Sequence, residues 1–136
     1  MSQHLGALAL LVADYDEAIA FFTLGLGFAL LEDSPLDEPG KPGKRWVRVA
    51  PKGASGSALL LAQAANAQQQ AAIGQQGGGR VFLFLETDDF WGDYRRMQEY
   101  GVHFCEQPRH EHYGTVVVFE DISGNRWDLL QLAAAS

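Results

Sequence analysis

The 136-residue sequence predicts an α+β fold built from two strand–helix–strand–strand–strand units. Three observations carry this. Apolar runs with strand and helix periodicity follow one another in the order βαβββ, twice. The two runs keep a constant spacing: Asp14 and Asp88 open helices and Gly27-Phe28 and Gly101-Val102 close them, each pair 74 positions apart. Each unit is also too small to bury a sheet face alone, so the halves are expected to pair. The length suits a single domain over 1–136, with a first module at 1–62, a linker at 63–79 and a second module at 80–136.

In chain order, Leu5 to Val12 is a nearly continuous apolar strand. Asp14, with Glu17 three residues on, makes a capping-box pattern that starts a helix. Tyr15, Ala18, Ile19 and Phe22 form its buried face, and Gly25 and Gly27 stop it. Phe28 to Glu32 returns as a strand, and residues 33–44, rich in Pro, Gly and charge, form a loop. Lys44 to Ala50 alternates as a strand, Pro51 to Gly56 turns, and Ser57 to Ala62 is the next strand. The Ala/Gln/Gly stretch at 63–79 reads as a linker with room for a short helix between Ala64 and Ile73.

The second module opens with the strand Val81 to Glu86. Asp88-Asp89 then caps a helix with the stripe Phe90, Tyr94 and Met97, ended by Gly101. Val102 to Glu106 is expected to be a strand and Gln107 to His112 a polar loop. Gly114 to Leu132 closes the chain as a β-hairpin, with Ser123-Gly124-Asn125 suited to a turn that needs φ > 0. In its second strand Arg126, Asp128 and Leu130 share one face, and Trp127, Leu129 and Gln131 the other. A carboxylate in a short apolar strand is costly to bury unless it is paired, so Asp128 either lines a polar cavity or has a neighbour that neutralises it.

Composition excludes several classes of function. An apolar fraction of 47% rules out wholesale disorder. A net charge of −7 argues against nucleic acid and anionic membranes, which need a basic surface. The longest apolar run, near 5–13, is too short to span a bilayer, and no basic segment makes it a signal peptide. Cys105 is the one cysteine, so no intrachain disulfide forms; it reads as a small strand side chain, and a reducing cytoplasm is the expected location. No phosphate loop or nucleophile elbow is present.

The doubled arrangement, together with Val12-Ala-Asp-Tyr-Asp-Glu-Ala-Ile-Ala-Phe-Phe22, Leu26-Gly27-Phe28, and Phe119-Glu120-Asp121 through Gly124-Asn125 to Leu129, resembles the vicinal oxygen chelate superfamily of glyoxalase I, bleomycin-resistance proteins and extradiol dioxygenases. The segment from Val81 to Phe90, with Tyr113-Gly114-Thr115, looks like a bacterial glyoxalase-like branch. The resemblance spans the chain. It implies eight strands in a curled mixed sheet around a cup-shaped cavity, usually in a homodimer. It also implies a divalent metal on four strand positions, acting as a Lewis acid. Here those positions fall on Ala7, on Leu60, on one of Arg80, Val81 or Phe82, and on Asp128. One carboxylate cannot hold such an ion, so no metal and no other cofactor is expected.

Parity sketches the cavity face. Ala58 and Leu60 face inward, the small Ala7 and Ala9 leave space, and Trp46, Arg48, Arg126 and Asp128 would supply one aromatic wall and mixed charge. Asp128 is read as the remnant of a chelating position, paired with Arg48 or Arg126. Arg109, Glu111 and Tyr113 read either as a solvated, salt-bridged loop or as a ligand clamp, with Arg109 forking onto an anion. The resulting expectation is a metal-free small-molecule binder of the bleomycin-resistance type, with Trp46, Arg48, Arg109, Glu111, Tyr113, Arg126 and Asp128 as ligand-binding residues. The alternative is a lyase, isomerase or dioxygenase-type enzyme, either metal-free through Asp128 as catalytic base or metal-dependent through His110, Glu111 and His112. His4 and His103 read as structural or surface residues.

Overall fold

The computed structural model describes residues 1–36, 38–53 and 56–134. The chain forms two compact units, Met1–Ala71 and Ala72–Ser136. The first holds β1 (Ala7–Val12), α1 (Tyr15–Ala20), β2 (Ala29–Pro35), β3 (Arg45–Ala50) and β4 (Ala58–Gln63), followed by the short α2 (Ala67–Ala72). The second holds β5 (Val81–Glu86), α3 (Phe90–Tyr100), β6 (Arg109–Glu111), β7 (Gly114–Glu120) and β8 (Arg126–Leu132). Each unit carries a four-stranded mixed sheet, ordered β1-β4-β3-β2 and β5-β8-β7-β6. In both, the first strand pairs parallel with the last and the other pairs are antiparallel. The fold is thus α+β with the repeated topology that the sequence predicts. No helix among the described residues is long and apolar enough to cross a membrane.

The first helix starts as its capping residues dictate, with Asp14 Oδ2 accepting the Glu17 N–H at 2.8 Å. It does not end as an α-helix. Phe21–Gly25 is a π-helical turn, with the Leu26 N–H donating to the Phe21 carbonyl at 3.1 Å. The second module supplies the reason. There the cap is Asp89, which accepts from the Gly92 N–H, and not Asp88 as the repeat spacing suggests. From cap to left-handed glycine, Asp14 to Gly27 is one residue longer than Asp89 to Gly101. One extra residue in a helix is absorbed as a π-bulge. The wide turn puts Phe21 and Phe22 both in the core, where the sequence pattern placed only Phe22.

The helix start in the second unit is tied to its sheet: Gln131 on β8 accepts the Phe90 N–H at 2.9 Å. Below α3 the core gathers Phe90, Met97, Val117, Phe119, Trp127 and Leu129, all buried. Phe119 and Trp127 stack at 5.7 Å. In the first unit Leu10, Val12, Ala18, Phe22, Val47, Val49 and Leu61 do the same. Each such Leu or Phe contributes about 1.5–3 kcal/mol by leaving water.

One expected strand moves. Val102–Glu106 is not a strand, and Arg109–Glu111, expected to be loop, is β6. Residues 103–105 do meet β7 through the Phe104–Phe119 bridge, with Cys105 N–H to the Val118 carbonyl and Glu120 N–H to the His103 carbonyl, each at 2.9 Å. The ladder then breaks because the Glu106 carboxylate takes the Val118 N–H at 3.1 Å. Pro108, which has no N–H to offer, follows, and pairing resumes at Arg109–Val116.

The hairpin turn is organised by Asp121. Its Oδ1 accepts the backbone N–H groups of Ser123 (2.9 Å) and Asn125 (3.0 Å), and its Oδ2 accepts Asn125 Nδ2 (3.2 Å) and Trp127 Nε1 (2.9 Å). Gly124 takes the left-handed conformation at φ 94° that the turn needs. The turn expected at 51–56 lies partly outside the described residues, at Ala54 and Ser55, as does Asp37 in the loop at 33–44.

Candidate functional site

Each sheet keeps one face against its helix; on the other, called the open face below, side chains range from the buried Val116 and Ala58 to the exposed Phe84 and Trp46. On the second sheet, β8 alternates as expected: Trp127 and Leu129 are buried on the helix side, while Asp128 and Leu130 are half-buried on the open side. Register sets the neighbours of Asp128. Phe84 on β5 and Val118 on β7 lie directly beside it. Phe84 is an apolar side chain left 62% exposed.

Asp128 has no arginine partner, which corrects the expected pairing. Its Oδ1 is buried and accepts no hydrogen bond, and among the described residues Asp128 makes no ion pair. Arg48 belongs to the other sheet and pairs with Glu32 at 3.3 Å. Arg126 lies beside Glu120 on β7 and, with Arg80 and Asn125, lines a polar cavity of about 200 Å³. Burial pushes the Asp128 carboxyl up; Arg109 pulls it down and Glu106 pushes it further up.

The clamp reading of Arg109 also changes. Its Nε lies 3.0 Å from both Glu106 oxygens and its Nη1 2.9 Å from Glu111 Oε1. Glu106 first, then Glu111, raises the guanidinium further above its already high ordinary value, and Tyr113 adds to that hold. The fork is therefore occupied by the protein's own carboxylates, and the cluster around Asp128 is acidic. Glu106, absent from the sequence-based set, is the group that joins this cluster to the backbone of β7.

The structure brings Arg109, Glu111 and Asp128 together on the second sheet. It keeps Trp46 and Arg48 on the open face of the first, where Arg48 is in register with Leu60 and Val47 and Val49 turn to the core. Ala7 and Ala9 on β1 pair with Ala58 and Leu60 on β4. The His110–Glu111–His112 run forms no shared donor set: His110 Nδ1 sits 3.2 Å from Thr115 Oγ1, Glu111 is taken by Arg109, and His112 lies edge-on to Tyr113 in the turn after β6. The sequence reading missed Phe84, Glu106 and Asp121. Parity alone could not have found Phe84, because the register between β5 and β8 shifts at Phe82, between Val81 and Leu83.

Comparison with known proteins places this geometry. The family model of the Glyoxalase/Bleomycin resistance protein/Dioxygenase superfamily matches residues 4–129. An uncharacterized protein of Shewanella frigidimarina is 54% identical over 132 residues, covering 97% of this chain and 96% of its own. Among solved structures, UcmS2 superposes with a TM-score of 0.80 at 28% identity, covering 96% of this chain and 98% of its own. TnmS3, an antibiotic binding protein from Streptomyces sp. CB03234, superposes with a TM-score of 0.75 at 31% identity, covering 97% and 98%.

Proposed function

The chain belongs to the Glyoxalase/Bleomycin resistance protein/Dioxygenase superfamily, and from that premise we propose that it binds an aromatic, cationic or N–H-rich small molecule on the open face of its second sheet, without the family metal. The observation that carries this is the Asp128 oxygen left buried and unpartnered beside the exposed Phe84 ring. An acceptor with no donor is satisfied when the half-buried Asp128 side chain turns it toward a ligand N–H, and the exposed aromatic ring beside it stacks a planar guest. Arg109 does not oppose a cation, since it is already paired with Glu106 and Glu111.

The donor set speaks against a divalent ion. At the strand positions that the resemblance assigns to the metal, the chain offers Ala7, Leu60 and one of Arg80, Val81 or Phe82 beside the single carboxylate of Asp128. An ion of this class needs several N, O or S donors to replace its water shell. That TnmS3 is an antibiotic binding protein supports a small-molecule ligand of this kind, and on the second sheet Arg109, Glu111 and Tyr113 remain part of the proposed binding set. A cytoplasmic homodimer is the proposed working form.

A thermal-shift screen of planar aromatic amines, aromatic acids and antibiotics tests the proposal. A ligand at a hundredfold excess over Kd stabilises the native state by about 2.7 kcal/mol. The expected result is stabilisation by amines, lost in Phe84→Ala and Asp128→Leu. Stabilisation by acids alone, or shifts that survive both substitutions, would sink it.

A second reading rests on the raised proton affinity of Asp128. A half-buried carboxyl of this kind suits a metal-free general base in a lyase or isomerase. Turnover of a bound ligand that is lost in Asp128→Asn, with binding retained, would select it.

A further inference from the structure

His103, Cys105 and Glu120 converge on the open face of the second sheet, and none of the three is a position the resemblance assigns to the family's metal. One ligand atom from each lies within 4.8 Å of the other two. The backbone holds them there. His103 and Cys105 flank Phe104, whose bridge to Phe119 is bracketed by two hydrogen bonds of 2.9 Å. The Phe104 ring turns the other way and packs on Tyr94 at 4.6 Å, so its two neighbours must point out together. Glu120 is bonded through its own N–H to the His103 carbonyl, and its carboxylate stands 3.9 Å from the Cys105 sulfur.

The geometry points to a binding site for one borderline transition-metal cation of the zinc type, held by His103, Cys105 and Glu120 with the fourth position open to solvent. Three different donors, imidazole nitrogen, thiolate sulfur and carboxylate oxygen, match zinc or cobalt and exclude calcium and magnesium, which require oxygen. Ligand atoms around a tetrahedral zinc stand roughly 3–4 Å apart, given metal–ligand bonds of about 2.0–2.3 Å. The observed spacing therefore closes by rotamer adjustment alone. Both His103 and Cys105 are exposed, so the ion has a path in. On binding, the S–H bond breaks, its proton leaves to solvent, and the sulfur–metal bond forms. The spacing His103-x-Cys105, which puts two ligands on one side of an extended segment, was the readable part; Glu120 was not, because only pairing with β7 brings it alongside.

The test is titration of the full-length, tag-free protein with cobalt(II) and zinc(II). Cobalt is expected to bind one per chain, with a thiolate-to-cobalt charge-transfer band and intense tetrahedral d–d bands. Cys105→Ser should remove the charge-transfer band, and His103→Ala and Glu120→Gln should each weaken zinc affinity by about a hundredfold. Asp128→Asn and the His110→Ala/His112→Ala pair should leave it unchanged. In the unsubstituted protein, zinc should also slow alkylation of Cys105, a readout that needs no variant to fold. Absence of the charge-transfer band, a band unaffected by losing His103 and Glu120, or a loss of affinity caused by the control variants would overturn the site.

Discussion

Replacing Asp128 by leucine should stabilise the protein while abolishing ligand binding. The carboxylate Oδ1 is buried and unpartnered, and an unsatisfied buried acceptor costs about 1–3 kcal/mol. Leucine removes that penalty and adds apolar contact with Phe84 and Val118, its neighbours in register. The side chain is only half-buried, so this gain is about 1 kcal/mol. Against it stands the lost attraction to Arg109, which is already held by Glu106 and Glu111 and is worth less than about 1 kcal/mol. The net is a gain of about 1–4 kcal/mol at pH 7, and each kcal/mol raises Tm by about 3–5 °C in a chain of this length. The gain has a pH signature. Because folding raises the Asp128 pKa above the ordinary 3.8, the folded chain holds this proton more tightly than the unfolded one. Native stability therefore falls as pH rises from 3.8 through the raised value, then levels off. Asp128→Leu lacks this step, so its advantage should be largest at neutral pH and shrink near pH 4. Urea denaturation across that range measures it. A variant less stable than the parent at pH 7, or a gain of equal size at both ends, would refute the argument.

Two further outcomes follow from the turn and the helix. Asp121→Ala strips four N–H donors of their acceptor, among them the buried Trp127 indole, and should cost about 3 kcal/mol or more, seen as a lower urea midpoint and a changed near-UV signal from Trp127. Deleting the exposed Leu24 should convert the π turn into α-helix and leave a folded protein, whereas deleting exposed Glu99 in α3 should unfold the second unit, because no spare residue exists there. Circular dichroism and thermal melts of the two deletions decide it; equal damage from both would contradict the extra-residue account.

Much of this architecture was legible from residue order. Strand and helix periods, the Asp14 cap and the stopping glycine Gly101 are local signals, set by the conformation of a few neighbouring residues. The parity that turned Trp127 and Leu129 inward and Asp128 outward is equally local. What escaped were features made by side chains reaching across strands. Glu106 looked like strand although its carboxylate displaces a ladder bond of Val118, and Asp121, which entered only as part of the closing motif, gathers four donors. The one-residue difference between the two helices was present in the sequence but hidden by counting from Asp88 instead of Asp89.

The sequence by itself determined that Asp128 would share a face with Arg126 and Leu130, opposite Trp127 and Leu129, because side chains alternate along a strand with a period of two. Which groups approach that carboxylate was decided only by tertiary structure. Register put Phe84 and Val118 beside it, and the break after residue 105 brought Arg109 near with its fork already filled by Glu106 and Glu111. The same strand pairing set Glu120 beside His103 and Cys105. Charge neutralisation and metal coordination both depend on distances of a few ångströms between residues far apart in the chain, and those distances exist only once the strands have paired.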